Sequence, residues 1–270
     1  VNSGDFTMTS TRLYAFGIFA ETFNGSGPLS IVNSGGFGVT AANYAFGIFA
    51  QTTGGNSALG IENRGDLTVT SNLKNAIGID ALTYGNSPLS IENSGDFTVN
   101  GVTQAIGIFA KTHDGYSPID IENSGDFTVS NAVRPASGIY GRTLDGHSPL
   151  SIVNSGDLAV TGASYGSFGI LGYASGGYSP VSIVNGGDVR VTSTAGNANG
   201  IAARLRRQQS GQHPEQRGLC SYGSAQWLRH ECDDVYRLQS REHREQRRLH
   251  GKGREGRWHS RGDDWRQQPY

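Results

Sequence analysis

Ser87-Pro-Leu-Ser-Ile-Glu-Asn-Ser-Gly-Asp-Phe-Thr-Val99 is the clearest copy of a phrase that recurs along most of this chain. Its asparagine returns at Asn2, Asn33, Asn63, Asn93, Asn123, Asn154 and Asn185, every 30 or 31 residues. A period of that length marks a solenoid, in which each repeat is one coil stacked on the next. Each repeat holds three short runs of alternating apolar and polar or small residues, the period-two pattern of strands with one buried face. In the fourth repeat these are Leu89–Ile91, Phe97–Val99 and Ile106–Ala110. The expected fold is therefore all-β: a parallel β-helix with three short strands per coil, about 30 residues per coil and an irregular C-terminal part. Its wind is expected to be right-handed, as parallel connections are.

Outward from that phrase, the joints are as regular as the strands. Asn-Ser-Gly-Asp joins the first two runs, and Asn and Gly are residues that accept left-handed backbone angles, so a sharp left-handed bend is expected there. Pro28, Pro88, Pro118, Pro149 and Pro180 precede the first strand, where a missing N–H does least harm. Stacking at the ~4.8 Å strand separation would place the bend asparagines (Asn33, Asn63, Asn93, Asn123, Asn154 and Asn185) in a hydrogen-bonded ladder. In the third run, alternation puts Ile106, Ile108 and Ala110 on one face, like Phe46, Ile48 and Ala50 or Ile77, Ile79 and Ala81. The opposite face then carries Phe19, Phe49, Asp80, Phe109, Tyr140 and Leu171. Phe19, Phe49, Phe109, Tyr140 and Leu171 are expected to form an exposed apolar and aromatic contact stripe along the helix.

Composition changes abruptly after Ala203. Residues 1–203 hold 14 acidic and 7 basic residues, and residues 204–270 hold 9 acidic and 15 basic, so the overall charge of −1 is a cancellation. The genetic code accounts for the change. Gln239–Gly251 can be encoded by codons that, read one base later, give S-P-V-S-I-E-N-S-G-D-F-T-V, and Gln208–Leu219 similarly gives N-S-P-V-S-I-R-N-S-G-D. The asparagines decoded in that frame fall at codons 215 and 245, continuing the 30-residue spacing from Asn185. We expect a frameshift between Gly200 and Arg204: residues 1–203 form the β-helix region, and 204–270 are a frameshifted continuation with no native fold of their own.

Few residues offer chemistry. Asp66, Asp96, Asp126, Asp157 and Asp188 follow the bend glycine and lapse to Gly36. They read as solvated turn residues bonding their own backbone rather than as calcium ligands, because the nonapeptide of calcium-binding β-rolls is absent. The charged departures from the repeat (Arg64, Lys74, Asp80, Arg134 and Arg190) are scattered, and no acid–base pair with a role can be named. His113 and His147 are too few and too far apart for a metal site. Cys220 and Cys232, with His213, His230 and His243, match no zinc spacing, and the frame reading removes both zinc and nucleic acid as partners of the basic tail. No cofactor is expected.

The alternating phrases I-E-N-S-G-D-F-T-V and A-x-G-I-F-A-x-T resemble the passenger repeats of bacterial autotransporters, the type V secreted proteins of Gram-negative bacteria. That resemblance implies a β-helical passenger carried across the outer membrane by a C-terminal β-barrel, which is missing from this chain. It implies a place at the cell surface or outside the cell, and commonly a role in adhesion. The sequence expectation is a non-enzymatic fragment, opening in mid-repeat, whose partners are a host surface, polysaccharide or sister molecules. A carbohydrate-active β-helix enzyme is the first alternative. An ice-binding solenoid is the second, prompted by Thr7, Thr68, Thr98 and Thr128, a column broken at Gly38, Ala159 and Arg190.

Overall fold

The structure, a computed structural model, describes residues 1–206 apart from 55, 145, 146, 164, 165, 177 and 178. The expected continuation over 207–270, its cysteines and histidines included, lies outside the described residues. The chain is a parallel β-solenoid whose strands fall into three sheets of six, seven and seven strands, with no helix among the described residues. Sheet A contains Leu29–Asn33, Leu59–Asn63, Leu89–Asn93, Ile119–Asn123, Leu150–Asn154 and Val181–Asn185. Sheet B runs from Phe6–Ser10 through Phe37–Ala41, Leu67–Ser71, Phe97–Gly101, Phe127–Asn131 and Leu158–Gly162 to Val189–Ser193. Sheet C is made of longer strands: Tyr14–Phe23, Tyr44–Thr53, Asn75–Tyr84, Gln104–His113, Ala136–Leu144, Ser167–Ser175 and Ala198–Arg206. The last of these continues three residues past the expected boundary at Ala203.

Every strand pairs with its counterpart one coil away in strict register, so like sits on like. Ile61 meets Ile91, Ile91 meets Ile121, and Phe97 meets Phe127. Burial follows. Strands of sheets A and B in the central coils alternate buried and more open side chains, and the buried set forms one continuous core of Ile, Val, Leu, Phe and Ala from all three sheets.

The asparagine ladder is present from end to end. Each side-chain Nδ2 donates to the Oδ1 of the next coil's asparagine at 2.7 Å, from Asn2 through Asn33, Asn63, Asn93, Asn123 and Asn154 to Asn185. Its other hydrogen goes to the carbonyl of the glycine two residues on, as in Asn93 to Gly95 at 2.8 Å. Asn33 to Asn154 are buried, so these amides have no water to fall back on. A second ladder, unread in the sequence, runs through the serine two residues ahead of the sheet A strands from Leu59–Asn63 onward: the backbone N–H groups of Ser57, Ser87, Ser117 and Ser148 donate to the hydroxyl of the next serine at 3.0–3.1 Å.

Two sequence expectations fail here for a steric reason. The bend glycines do not adopt left-handed angles; positive φ occurs instead in the coil-closing loops, at Gly54, Gly85 and Gly115 among others. Glycine is needed at the bend because coils stack too closely for a Cβ, which at Gly95 would lie 2.1 Å from the Gly65 carbonyl oxygen. The strands of sheet C likewise do not alternate throughout. Ala105, Ile108 and Ala110 point into the core, while Ile106 and Phe109 belong to a separate cluster, so Ile106 does not share a face with Ile108. The alternation breaks at Gly107, where a Cβ would sit 2.6 Å from the Gly138 oxygen and 2.7 Å from the Phe127 ring. Phe46 and Ile77 leave the core at Gly47 and Gly78 in the same way.

Two substitutions measure these constraints. Asn93→Ala leaves the Asn63 donor, the Asn123 acceptor and the Gly95 carbonyl short of a partner, and is expected to cost roughly 2–4 kcal/mol in denaturant unfolding. Gly107→Ala is expected to lower the midpoint of thermal unfolding followed by circular dichroism far more than Gly36→Ala, whose Cβ would meet nothing closer than 3.5 Å.

Candidate functional site

The break at the sheet C glycine sends two side chains per coil outward instead of one, and this gives that face its character. Phe16 stacks on Phe46 with ring centroids 5.1 Å apart, and Phe19 on Phe49 at 5.3 Å. The two stacks interlock edge to face, Phe16 against Phe19 at 5.2 Å and Phe46 against Phe49 at 5.7 Å. Farther along, Ile77, Ile106 and Phe109 form an outer apolar cluster on which Phe46 and Tyr140 pack.

The expected stripe is therefore in register but not uniformly exposed. Phe49, Phe109, Tyr140 and Leu171 fall on one line of neighbouring strands, with Asp80 between Phe49 and Phe109. Phe19 is 54% exposed, Phe49 and Tyr140 are half-buried, and Phe109 and Leu171 are buried at 3% and 7%. Exposure failed as an expectation because alternation gives direction only. The second outward residue, on the other side of the glycine, packs against the first.

Of the charged departures from the repeat, four serve local roles or lie open. Arg64 pairs with Glu62, and Lys74 reaches the Tyr44 hydroxyl at 3.0 Å. Arg134 and Arg190 are exposed. Asp80 differs. It is 7% exposed on the outer side of sheet C, and its Oδ1 has no hydrogen-bond partner. Burial pushes its carboxyl up to about 7, against the pull of Lys111 on the neighbouring strand. Lys111 is pushed down to about 8 by burial and by Arg142, partly offset by Asp80. Lys111 and Arg142 are register partners, and the Arg142 guanidinium lies 5.3 Å from the Tyr173 ring centre. Reading charged departures as scattered thus missed one grouping. Lys111 and Arg142 occupy a column already varied in the sequence (Glu21, Gln51, Leu82), so nothing marked them out.

The aspartate column is structural, with one change from the sequence reading. Each carboxylate accepts the next coil's backbone N–H rather than its own: Asp96 N–H to Asp66, Asp126 to Asp96, Asp157 to Asp126 and Asp188 to Asp157, at 2.7–2.9 Å. Among the described residues no group of three or more His, Cys, Asp or Glu could hold a metal ion. The threonine column is in register but broken by Gly38, Ala159 and Arg190.

Comparison with protein-family models, with curated proteins and with solved structures found no match to this chain.

Buried Asp80 and half-buried Lys111 give a pH signature whose sign can be worked out. The Asp80 carboxyl is raised from 3.8 to about 7, so the folded state holds a proton that the unfolded state has released across that window. Stability from this group is thus highest below pH 4 and falls as pH rises towards 7. Lys111, depressed from 10.5 to about 8, contributes the opposite slope between those values. Asp80→Asn is expected to flatten the pH 4–7 limb, by an amount on the order of a few kcal/mol, in urea unfolding across that range. A parallel wild-type and variant profile would contradict the assignment.

Proposed function

We propose that this chain is a length of non-enzymatic, surface-displayed or secreted β-helical passenger of the autotransporter kind, and that the outer face of sheet C is its contact face in adhesion. The observation that carries the reading is the difference between the three faces. The Asn, Ser and Asp ladders of sheets A and B and their joints bond coil to coil, and so do structural work. The outer side of sheet C instead carries aromatic rings that stack ring on ring between coils and lie open at Phe19 and Phe23. Repetition along the solenoid suits multivalent contact, in which many weak contacts add.

The geometry of the aromatic stacks bears on the partner. Phe19 and Phe49 lie with their planes 6° apart, and Phe16 and Phe46 with theirs 8° apart, so each ring gives one face to its stacking partner. The rings present an apolar contact surface at the N-terminal end of the face. A second reading, a carbohydrate-active β-helix enzyme, draws on the place among the described residues where Asp80 lies beside Lys111 and Lys111 beside Arg142. Polysaccharide cleavage in solution would favour it. The ice-binding reading has no comparable support, since its threonines persist over only Thr68, Thr98 and Thr128.

Attachment of the purified chain to cultured host cells, with self-association followed by sedimentation, tests the contact face. A Phe19→Ser, Phe23→Ser double variant is expected to retain its fold and lose most of the attachment or self-association. Unchanged values for both would remove the face from the account. The secretion class is tested in the gene, where the +1 frame beyond Gly200 is expected to continue the repeat and lead to a β-barrel.

A further inference from the structure

We propose that Lys111 and Arg142, with Asp80 beside them and Tyr140 and Tyr173 at the rim, form a subsite for the carboxylate of an acidic polysaccharide. The proposal rests on the outer face of sheet C being the contact face, and it names the chemistry of one partner there. Lys111 and Arg142 are register partners on neighbouring strands, so their backbones are only ~4.8 Å apart. Like charges directly across a sheet destabilise one another, and an anion held between them relieves the repulsion.

The cluster's own charges set the anion. One carboxylate and two cations leave a net of one positive charge when all are ionised, which suits a monoanionic carboxylate better than a dianionic phosphate. Asp80 lies on the strand next to Lys111, opposite Phe109, and is more than nine-tenths buried with Oδ1 unpartnered. The strand needs no carboxyl there; the same column holds Phe49 and Phe109 in adjacent coils. Lys111, Tyr140 and Tyr173 are half-buried, so the cluster meets solvent through them. The other groups of the Lys111 column are Gln51 and Leu82 on one side and Tyr173 and Arg204 on the other, Arg204 standing two coils beyond Arg142 with its guanidinium over the Phe168 ring. Glu21 lies three coils away, ~14 Å by strand spacing and beyond the screening length at physiological salt.

A sugar acid fits this face better than an acidic peptide. The strands carrying Asp80, Lys111 and Arg142 are each paired on both sides, so no free backbone edge is offered for a peptide strand to join. Recognition must come from side chains alone, over a surface that runs along the stack as a linear polymer would.

Titration calorimetry on the full chain at low salt tests this with four probes: oligogalacturonate, a neutral glucan oligomer of equal length, inorganic phosphate and polyglutamate. Oligogalacturonate is expected to bind and the other three to bind at least ~10-fold more weakly. Lys111→Gln and Arg142→Gln should each weaken oligogalacturonate binding by ~10-fold, Lys111→Arg should retain it, and Asp80→Asn should tighten it by removing a like charge. Circular dichroism checks that each variant is folded. No heat with oligogalacturonate, equal binding of polyglutamate or phosphate, or indifference to both glutamine variants overturns the subsite. If host-cell attachment persists in those variants while oligogalacturonate fails to bind, the subsite alone is lost; loss of attachment in the Phe19, Phe23 variant is a separate result.

Discussion

Everything in this molecule depends on coils lying directly over one another at the spacing of parallel strands, about 4.8 Å. That spacing turns a repeated residue into a continuous contact. Isoleucine becomes a core ladder, phenylalanine a stack, and asparagine a chain of amides bonded at 2.7 Å along the buried bend. The same spacing excludes. A Cβ on a bend glycine would meet the backbone of the coil before it, and one on a sheet C glycine would meet both backbone and a core ring. Attraction between like side chains and exclusion at glycine together leave one register.

Buried asparagine is an expensive way to fix a register, since an amide out of water must find every partner. Here the expense is met by geometry: each amide gives one hydrogen to its own glycine carbonyl and one to the next coil. A shift of one residue would bury unsatisfied amides all along the stack, whereas a shifted apolar core would lose only packing. The ladder is thus better placed than the hydrophobic core to specify register, and the core to supply most of the stabilisation.

Much of this was legible in the sequence because it was written seven times. The period located the coils, the asparagine spacing located the ladder, and alternation located the strands of sheets A and B. What the sequence concealed lay where glycine acts by being small. Strict alternation assigned Ile106 to the core beside Ile108, although the chain turns at Gly107 and Ile106 joins Phe109 outside. Glycine's usual association with left-handed angles misread the bends, where the constraint is a neighbouring coil that no single repeat displays. Asp80 was visible as a departure from the aromatic column. Its proximity to Lys111, itself the register partner of Arg142, was not, because those two sit in a column with no fixed residue type. The serine ladder was likewise hidden, since a serine just ahead of a strand reads as loop punctuation.

The central claim is that a closed asparagine ladder holds the coils in register. Hydrogen exchange of the side-chain amides, followed residue by residue by NMR, addresses it most directly. The Nδ2 hydrogens of Asn33, Asn63, Asn93, Asn123 and Asn154 are expected to exchange orders of magnitude more slowly than those of the exposed Asn72 and Asn86. Equal, fast exchange at all seven would mean that the amides are not bonded along the stack, and would contradict the account.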